Sequence, residues 1–190
     1  MTNQIEKIIQ ASIDTKQSIL NDEVIKGSIL KSIDVITNSF KQGNKVLFCG
    51  NGGSAADAQH LSAEFSGRFY KNRKALPSEA LHCNTSYLTA VANDYSYDVI
   101  YSRLIEGICI KGDVLIGLST SGNSPNIVKA FEMARSLGVI TIGFTGAGGG
   151  AMKELSDILI NVPSTVTPRI QESHILIGHI ICEFVEDNMF

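Results

Sequence analysis

Two rhythms of apolar residues divide the chain. Ile25, Ile29, Ile33, Ile36 and Phe40 recur at spacings of 4, 4, 3 and 4 residues, which lines one face of a helix. Ile5, Ile8, Ile9, Ile13 and Leu20 form a looser stripe ahead of it. Asn21 or Asp22 is placed to cap the second helix, and Gly43-Asn44 to end it. Beyond residue 44 the period changes. Short apolar runs fall at Lys45–Cys49, Glu79–Cys83, Asp113–Leu118, Val139–Phe144 and Ile158–Val162. Helical patterns separate most of them, at Ser54–Ser66, at Ser86–Val91 with Asp98–Ile110, at Ser124–Leu137 and at Ala151–Leu155. A last helix is expected from about Arg169 to Asp187.

Strands that lack a polar face and alternate with helices belong to a parallel sheet covered on both sides. The expected fold is therefore α/β: a three-layer α/β/α sandwich with a five-stranded, flavodoxin-like parallel sheet and an N-terminal helical extension. No linker, repeat or low-complexity segment interrupts it. The expectation is one domain, with residues 1–43 as the N-terminal helices and 44–190 as the α/β core.

Composition narrows the class. A length of 190 residues suits one core, and a chain of that size buries roughly 70% of its unfolded surface without help from disulfides. With 16 Lys+Arg against 19 Asp+Glu the net charge is −3, which excludes a strongly basic nucleic-acid binder. Only 18% of residues are charged, so part of the surface is expected to be hidden in an oligomer. Cys49, Cys83, Cys109 and Cys182 show no paired spacing, and each is expected to be a buried small hydrophobe. The N-terminus has no apolar signal core, and the run Ile175–Val185 is too short and too polar to span a bilayer. The expectation is a soluble, cytoplasmic protein with neither a nucleic-acid nor a membrane partner.

Two strand-to-helix junctions carry chemistry, because open parallel sheets bind ligands where strands end. The first reads Cys49-Gly50-Asn51-Gly52-Gly53-Ser54, with Ser54 expected to cap the next helix. The second, Ser119-Thr120-Ser121-Gly122-Asn123-Ser124-Pro125, offers four hydroxyls in six residues and a Pro suited to a first helical turn. Hydroxyls, backbone N–H groups and a helix dipole converge there on a phosphate-sized point. An ordinary capped turn, the competing role, has no need of four hydroxyls. No Lys follows, so this is not a nucleoside-triphosphate loop, and a sugar phosphate fits better. Gly50, Gly52 and Ala55 match a dinucleotide fingerprint. The next strand, however, is expected to end His82-Cys83-Asn84 without the carboxylate that a ribose needs, which argues against a nucleotide cofactor.

His60 and Glu64 lie one turn apart on one helical face, roughly 6 Å from each other. The last helix carries Gln171, His174 and His179. Around its axis Gln171 and His179 are about 80° apart, whereas His174 and His179 are about 140° apart and do not serve the same point. A hydrogen-bonded core position competes with a functional role for each histidine. Burying Glu64 unpaired would be costly. A carboxylate and an imidazole on opposite sides of a sugar phosphate can move a proton between C1 and C2, an aldose–ketose isomerisation through an enediol. His60, Glu64, Gln171 and His179 are also plausible ligands of a divalent metal such as zinc. Along one helix Gln171 and His179 are separated by about 12 Å, so the site is expected to be assembled between helices and between chains. Gly148-Gly149-Gly150 reads as a flexible turn into a short helix, and Tyr95, Tyr97 and Tyr101 either shape a pocket mouth or pack between subunits.

The segments CGNGGSAADAQHLSAEFSGRF, AVANDYSYD, DVLIGLSTSGNSPNIVKA and TPRIQESHILIGHIICEFVE together resemble the phosphoheptose isomerases of the sugar-isomerase (SIS) group. The resemblance implies conversion of sedoheptulose 7-phosphate to D-glycero-D-manno-heptose 7-phosphate, the first step toward activated heptose for lipopolysaccharide or capsule. It implies Glu64 and His179 as the proton-transfer pair, with Glu64 the base. Ser119, Thr120, Ser121 and Ser124 would hold the phosphate, while Asn51, Gly52, Gly53, Ser54, Arg68, Asn93, Asp94 and Gln171 would complete the substrate site. It implies one zinc ion per subunit on His60, Glu64, Gln171 and His179, and a homotetramer with active sites between subunits. A nearby SIS branch, the replication-initiator-associating proteins, keeps the fold but lacks the catalytic Glu and His. Both are present here.

Overall fold

The computed structural model describes residues 1–190. Two N-terminal helices, α1 (Thr2–Leu20) and α2 (Glu23–Lys41), precede β1 (Val46–Gly50), α3 (Gly53–Ser66), β2 (Ser78–Ala80), α4 (Thr85–Asp94) and α5 (Ile100–Ile108). Then follow β3 (Val114–Leu118), α6 (Pro125–Ser136), β4 (Ile140–Thr145), β5 (Ile158–Asn161) and α7 (Thr167–Met189). The strands form one parallel sheet in the order β2-β1-β3-β4-β5, the doubly wound order of flavodoxin-like folds. No helix is long and apolar enough to cross a membrane.

Strand alternation divides the core into two. Val46, Phe48, Val114, Ile116, Ile142 and Phe144 pack against α2, α3 and α7. Leu47, Cys49 and Leu115 face α5 and α6 on the other side, where Ile105 and Phe131 are fully buried. The isoleucine stripe of α2 enters the first core: Ile25, Ile29, Ile33 and Ile36 are buried, each contributing about 2 kcal/mol. Asp22 caps α2 by accepting from Val24 N and Ile25 N, as its place before the stripe predicts. The looser stripe of α1 remains in solvent, with Ile5, Ile8, Ile9 and Ile13 all at least half exposed.

Polar anchors fix the strand starts. The carboxylate of Asp113 is fully buried and accepts from Lys45 N, Lys45 Nζ and Ile110 N, tying β1 to β3. That of Asp157 accepts from Thr141 N and Oγ1, tying β5 to β4.

Four local expectations need correction. The run Glu79–Cys83 yields a strand only over Ser78–Ala80; the chain then turns, and Asn84 caps α4 by accepting from Tyr87 N. Cys83, in that turn, is exposed, while the other three cysteines are buried. Ala151–Leu155 belongs to a 3-10 segment, Gly150–Leu155, opened by left-handed Gly149 and Gly150. The cap of α3 is Gly52 at φ +57°, so Ser54 sits inside the first turn and is buried there.

His174 is a core residue. It is fully buried against the Phe144 ring, and its Nε2–H donates to the carbonyl of Thr145 at 3.1 Å. Burial lowers its pKa from 6.5 to about 4, although that carbonyl favours the protonated ring. Between those values the unfolded chain binds more protons. Stability is therefore lost as pH falls through this window, on the order of 3 kcal/mol in all. Urea midpoints measured from pH 7 to 4.5 are expected to fall, and to fall less steeply in His174→Gln. Equal slopes would exclude His174 as the linked group.

Candidate active site

The junction after β1 sets the origin of α3. A Cβ at Gly50 would meet the carbonyl oxygen of Ser54 at 2.4 Å, so only glycine lets the chain turn this tightly into the helix. α3 then runs beside α7 in the same direction. Gly53 of α3 faces Gln171 of α7, where an added Cβ would meet the Gln171 carboxamide nitrogen at 2.7 Å. Further along, Gly178 of α7 faces Leu61 of α3, where an added Cβ would meet Cδ1 at 2.5 Å. Two glycines thus draw the helices together at these levels, and His179 comes to lie opposite His60.

The result is a compact donor cluster. His60 Nε2 lies 2.9 Å from His179 Nε2 and 3.2 Å from Glu64 Oε1. The ligand atoms of His60, Glu64 and His179 all lie within 4.8 Å of one another. Asp57, half-buried on the same face of α3, is a neighbour that sequence reasoning overlooked. Burial raises its pKa, and His60 and His179 pull it partway back. Its signal was available, because 57, 60 and 64 form an i, i+3, i+7 stripe.

The donors fit a divalent cation. Two imidazole nitrogens and a carboxylate oxygen are ligands that zinc takes, and tetrahedral ligands would stand about 3.3 Å apart. The observed 2.9 and 3.2 Å separations are close to that spacing.

The second junction gathers hydroxyls at the end of β3. Ser119 Oγ lies 3.0 Å from Ser124 Oγ and 3.5 Å from Ser121 Oγ. Ser124 is the N-cap of α6, but its hydroxyl faces Ser119 instead of the helix amides, and Pro125 opens the helix. Gly122 has φ +67°, and a Cβ there would lie 2.0 Å from the Gly149 carbonyl oxygen. The glycine triplet therefore buttresses this loop. Beside the loop is a cleft of about 260 Å³ that includes Thr120, Ser121, Gly148, Ser164, Thr165 and Thr167. Ser164, Thr165 and Thr167 were missed from sequence. They precede Pro168 in the first turn of α7, the same hydroxyls-then-proline signature as at Ser124-Pro125.

Similar proteins are known. The SIS domain family matches residues 6–146. The chain is 51% identical over 190 residues to a phosphoheptose isomerase of Clostridium acetobutylicum, covering 100% of this chain and 97% of that one. It is 58% identical over 160 residues to one of Rhodospirillum rubrum, covering 84% and 85% respectively. The structure of a phosphoheptose isomerase from Neisseria gonorrhoeae has a TM-score of 0.91 at 36% identity, covering 98% of each chain. This chain belongs to the phosphoheptose isomerases of the SIS family.

For a phosphoheptose isomerase, the other residues expected from sequence are placed as follows. Asn51 exchanges amide hydrogen bonds with Asn126, both at 2.9 Å, and accepts one from the Tyr97 hydroxyl. Tyr101 is buried and donates to the Gly50 carbonyl, while Tyr95 lies under the Arg103 guanidinium. Of the three, Tyr97 and Tyr101 thus brace the first loop from within the chain. Arg68, Asn93 and Asp94 are exposed, and their side-chain hydrogen bonds are local: Arg68 to the Phe69 carbonyl, Asn93 to Asp94.

Gly122→Ala is expected to cost at least about 2 kcal/mol by urea denaturation, since the methyl group meets backbone at a left-handed position. Gly148→Ala, with open space around it, should change stability by less than about 0.5 kcal/mol.

Proposed function

We propose that this chain interconverts sedoheptulose 7-phosphate and D-glycero-D-manno-heptose 7-phosphate through an enediol. The carrying observation is the His60–Glu64–His179 cluster, on α3 after the first glycine loop and on α7. Ser119, Thr120, Ser121 and Ser124 hold the phosphate with hydroxyls and the α6 N-terminus. Asn51, Gly52, Gly53 and Ser54 line the sugar chain. Glu64 removes the proton from C1 of the ketose and returns it at C2. Its Oε1 lies 3.2 Å from His60 Nε2. His179 moves the hydroxyl proton between O1 and O2, so that the aldose forms without net gain or loss of protons. His60, Glu64, Gln171 and His179 would hold a zinc ion, one per subunit, and such an ion would supply Lewis-acid polarisation to the substrate carbonyl.

In this reading the enzyme is a cytoplasmic homotetramer supplying heptose for lipopolysaccharide or capsule. The exposed isoleucines of α1 and an apolar groove of about 440 Å³ between α1, α2 and α7 support assembly. Exposed Arg68, Asn93 and Asp94 would then complete a neighbour's site.

Three measurements test this. Purified protein given sedoheptulose 7-phosphate should form the aldose, as followed by NMR. Glu64→Gln should lower kcat at least about 1,000-fold while sedimenting as the wild type does. Chelation should suppress turnover and added zinc restore it. If no product forms under any metal condition, a sugar-phosphate-binding role without catalysis takes its place. Sedimentation of the wild type as a monomer would overturn the shared-site assembly.

A further inference from the structure

Beyond the histidine cluster, a buried ion pair joins the segment that follows α3 to α7. The side chains of Arg73 and Glu186 are each only 2% exposed, with Arg73 Nε 2.8 Å from Glu186 Oε1. The Glu186 carboxylate also accepts from three consecutive backbone N–H groups, Phe69 at 3.0 Å, Tyr70 at 2.7 Å and Lys71 at 2.8 Å. The Arg73 guanidinium donates to the carbonyls of Glu64 at 2.7 Å and Phe65 at 2.8 Å. The last turn of a helix leaves such carbonyls without intrahelical partners. Arg73 thus closes the end of α3 at the residue whose side chain enters the cluster.

The opposite arm reaches His179. Glu186 lies two turns beyond His179 on the same face of α7, about 10 Å away along the axis. It holds Phe69 by its backbone, and the Phe69 ring lies 5.8 Å from the His179 ring, centroid to centroid. Stability alone is a poor reason for this arrangement, because well-packed apolar side chains often replace a buried ion pair at no loss. Directed bonds from one planar guanidinium and one carboxylate do something that apolar packing does not: they set distance and rotation between two helices.

We propose that Arg73 and Glu186 are positioning residues for the isomerase site, fixing α3 against α7 so that His60 and Glu64 meet His179. The proposal rests on the isomerase function above. It predicts losses in turnover and in metal affinity that exceed any change in binding of the sugar phosphate, because the phosphate loop hangs from β3 and α6.

Arg73→Lys keeps the charge but loses the fork of donors, Glu186→Gln keeps the shape but loses the charge, and Phe69→Leu removes the ring between His179 and Tyr70 while keeping the backbone bond to Glu186. Each is compared with wild type for kcat, KM and binding of cobalt(II) read from its visible absorption, which needs no turnover. Arg73→Lys and Glu186→Gln should lower kcat at least about 10-fold, leave KM within about twofold and weaken cobalt binding about 10-fold, as loss of supporting partners does at metal sites. Phe69→Leu should show a smaller loss of the same kind. Phe131→Leu, in the core on the other side of the sheet, should lower the urea midpoint without changing kcat or cobalt affinity. Wild-type kcat and cobalt affinity in the folded Arg73 and Glu186 variants would overturn the proposal, as would a change confined to KM. Should the wild type bind cobalt yet form no aldose, the isomerase function fails, and cobalt binding by the variants still judges the positioning role. If Arg73→Lys does not fold, Glu186→Gln and Phe69→Leu carry the same comparison.

Discussion

The close parallel packing of α3 and α7 is the constraint on which the site depends. Neither helix alone holds a complete donor set: α3 contributes His60 and Glu64, and α7 contributes His179. Gly178 against Leu61 and Gly53 against Gln171 let the two approach until the imidazole nitrogens are 2.9 Å apart. A side chain at either glycine would have to displace what it faces, and donor geometry tolerates little displacement. The isoleucines of α2 and the core strands hold these helices on the sheet from below. The loops at the strand ends then have a fixed platform from which to reach a ligand.

In a chain of net charge −3, any capacity to hold an anion has to be local. The Ser119–Pro125 loop contains no cation. Its hydroxyls stand within about one hydrogen bond of each other at the mouth of α6, where amides and dipole add their share. Gly122 and Gly149, both left-handed and in contact, hold that loop against the turn after β4. Polar groups elsewhere in the core serve structure: Asp113 ties two strands, Glu186 braces two helices, and His174 joins α7 to the end of β4. Glu186 shows how such a group remains charged. Burial raises its pKa, yet backbone N–H groups and Arg73 outweigh that cost and leave it below the ordinary carboxylate value.

Much of this was legible before any coordinates. The 4, 4, 3, 4 spacing of Ile25 to Phe40 defines one buried face wherever the helix docks, and unbroken apolar strands require cover on both sides. The two loops announced themselves through glycine and hydroxyl content at strand ends. Where expectation failed, local turn chemistry or tertiary packing decided. The strand at Glu79–Cys83 stops at Ala80 because the chain turns there into the Asn84 cap. The same turn exposes Cys83. Asp57 shares a helical face with His60 and Glu64, and His179 arriving from α7 adds a second imidazole beside it.

The sequence by itself determined the periodicities, the sheet class and the residue types available for phosphate, proton and metal chemistry, because these depend on local spacing. Only the tertiary structure decided where each histidine of α7 sits. His174 and His179 are five residues apart on one helix, yet one is sealed against Phe144 and the other meets His60. A helix displays every face to its own sequence equally. The sheet on one side and α3 on the other assign those faces, and that assignment is made by contacts 29 to 119 residues apart in the chain.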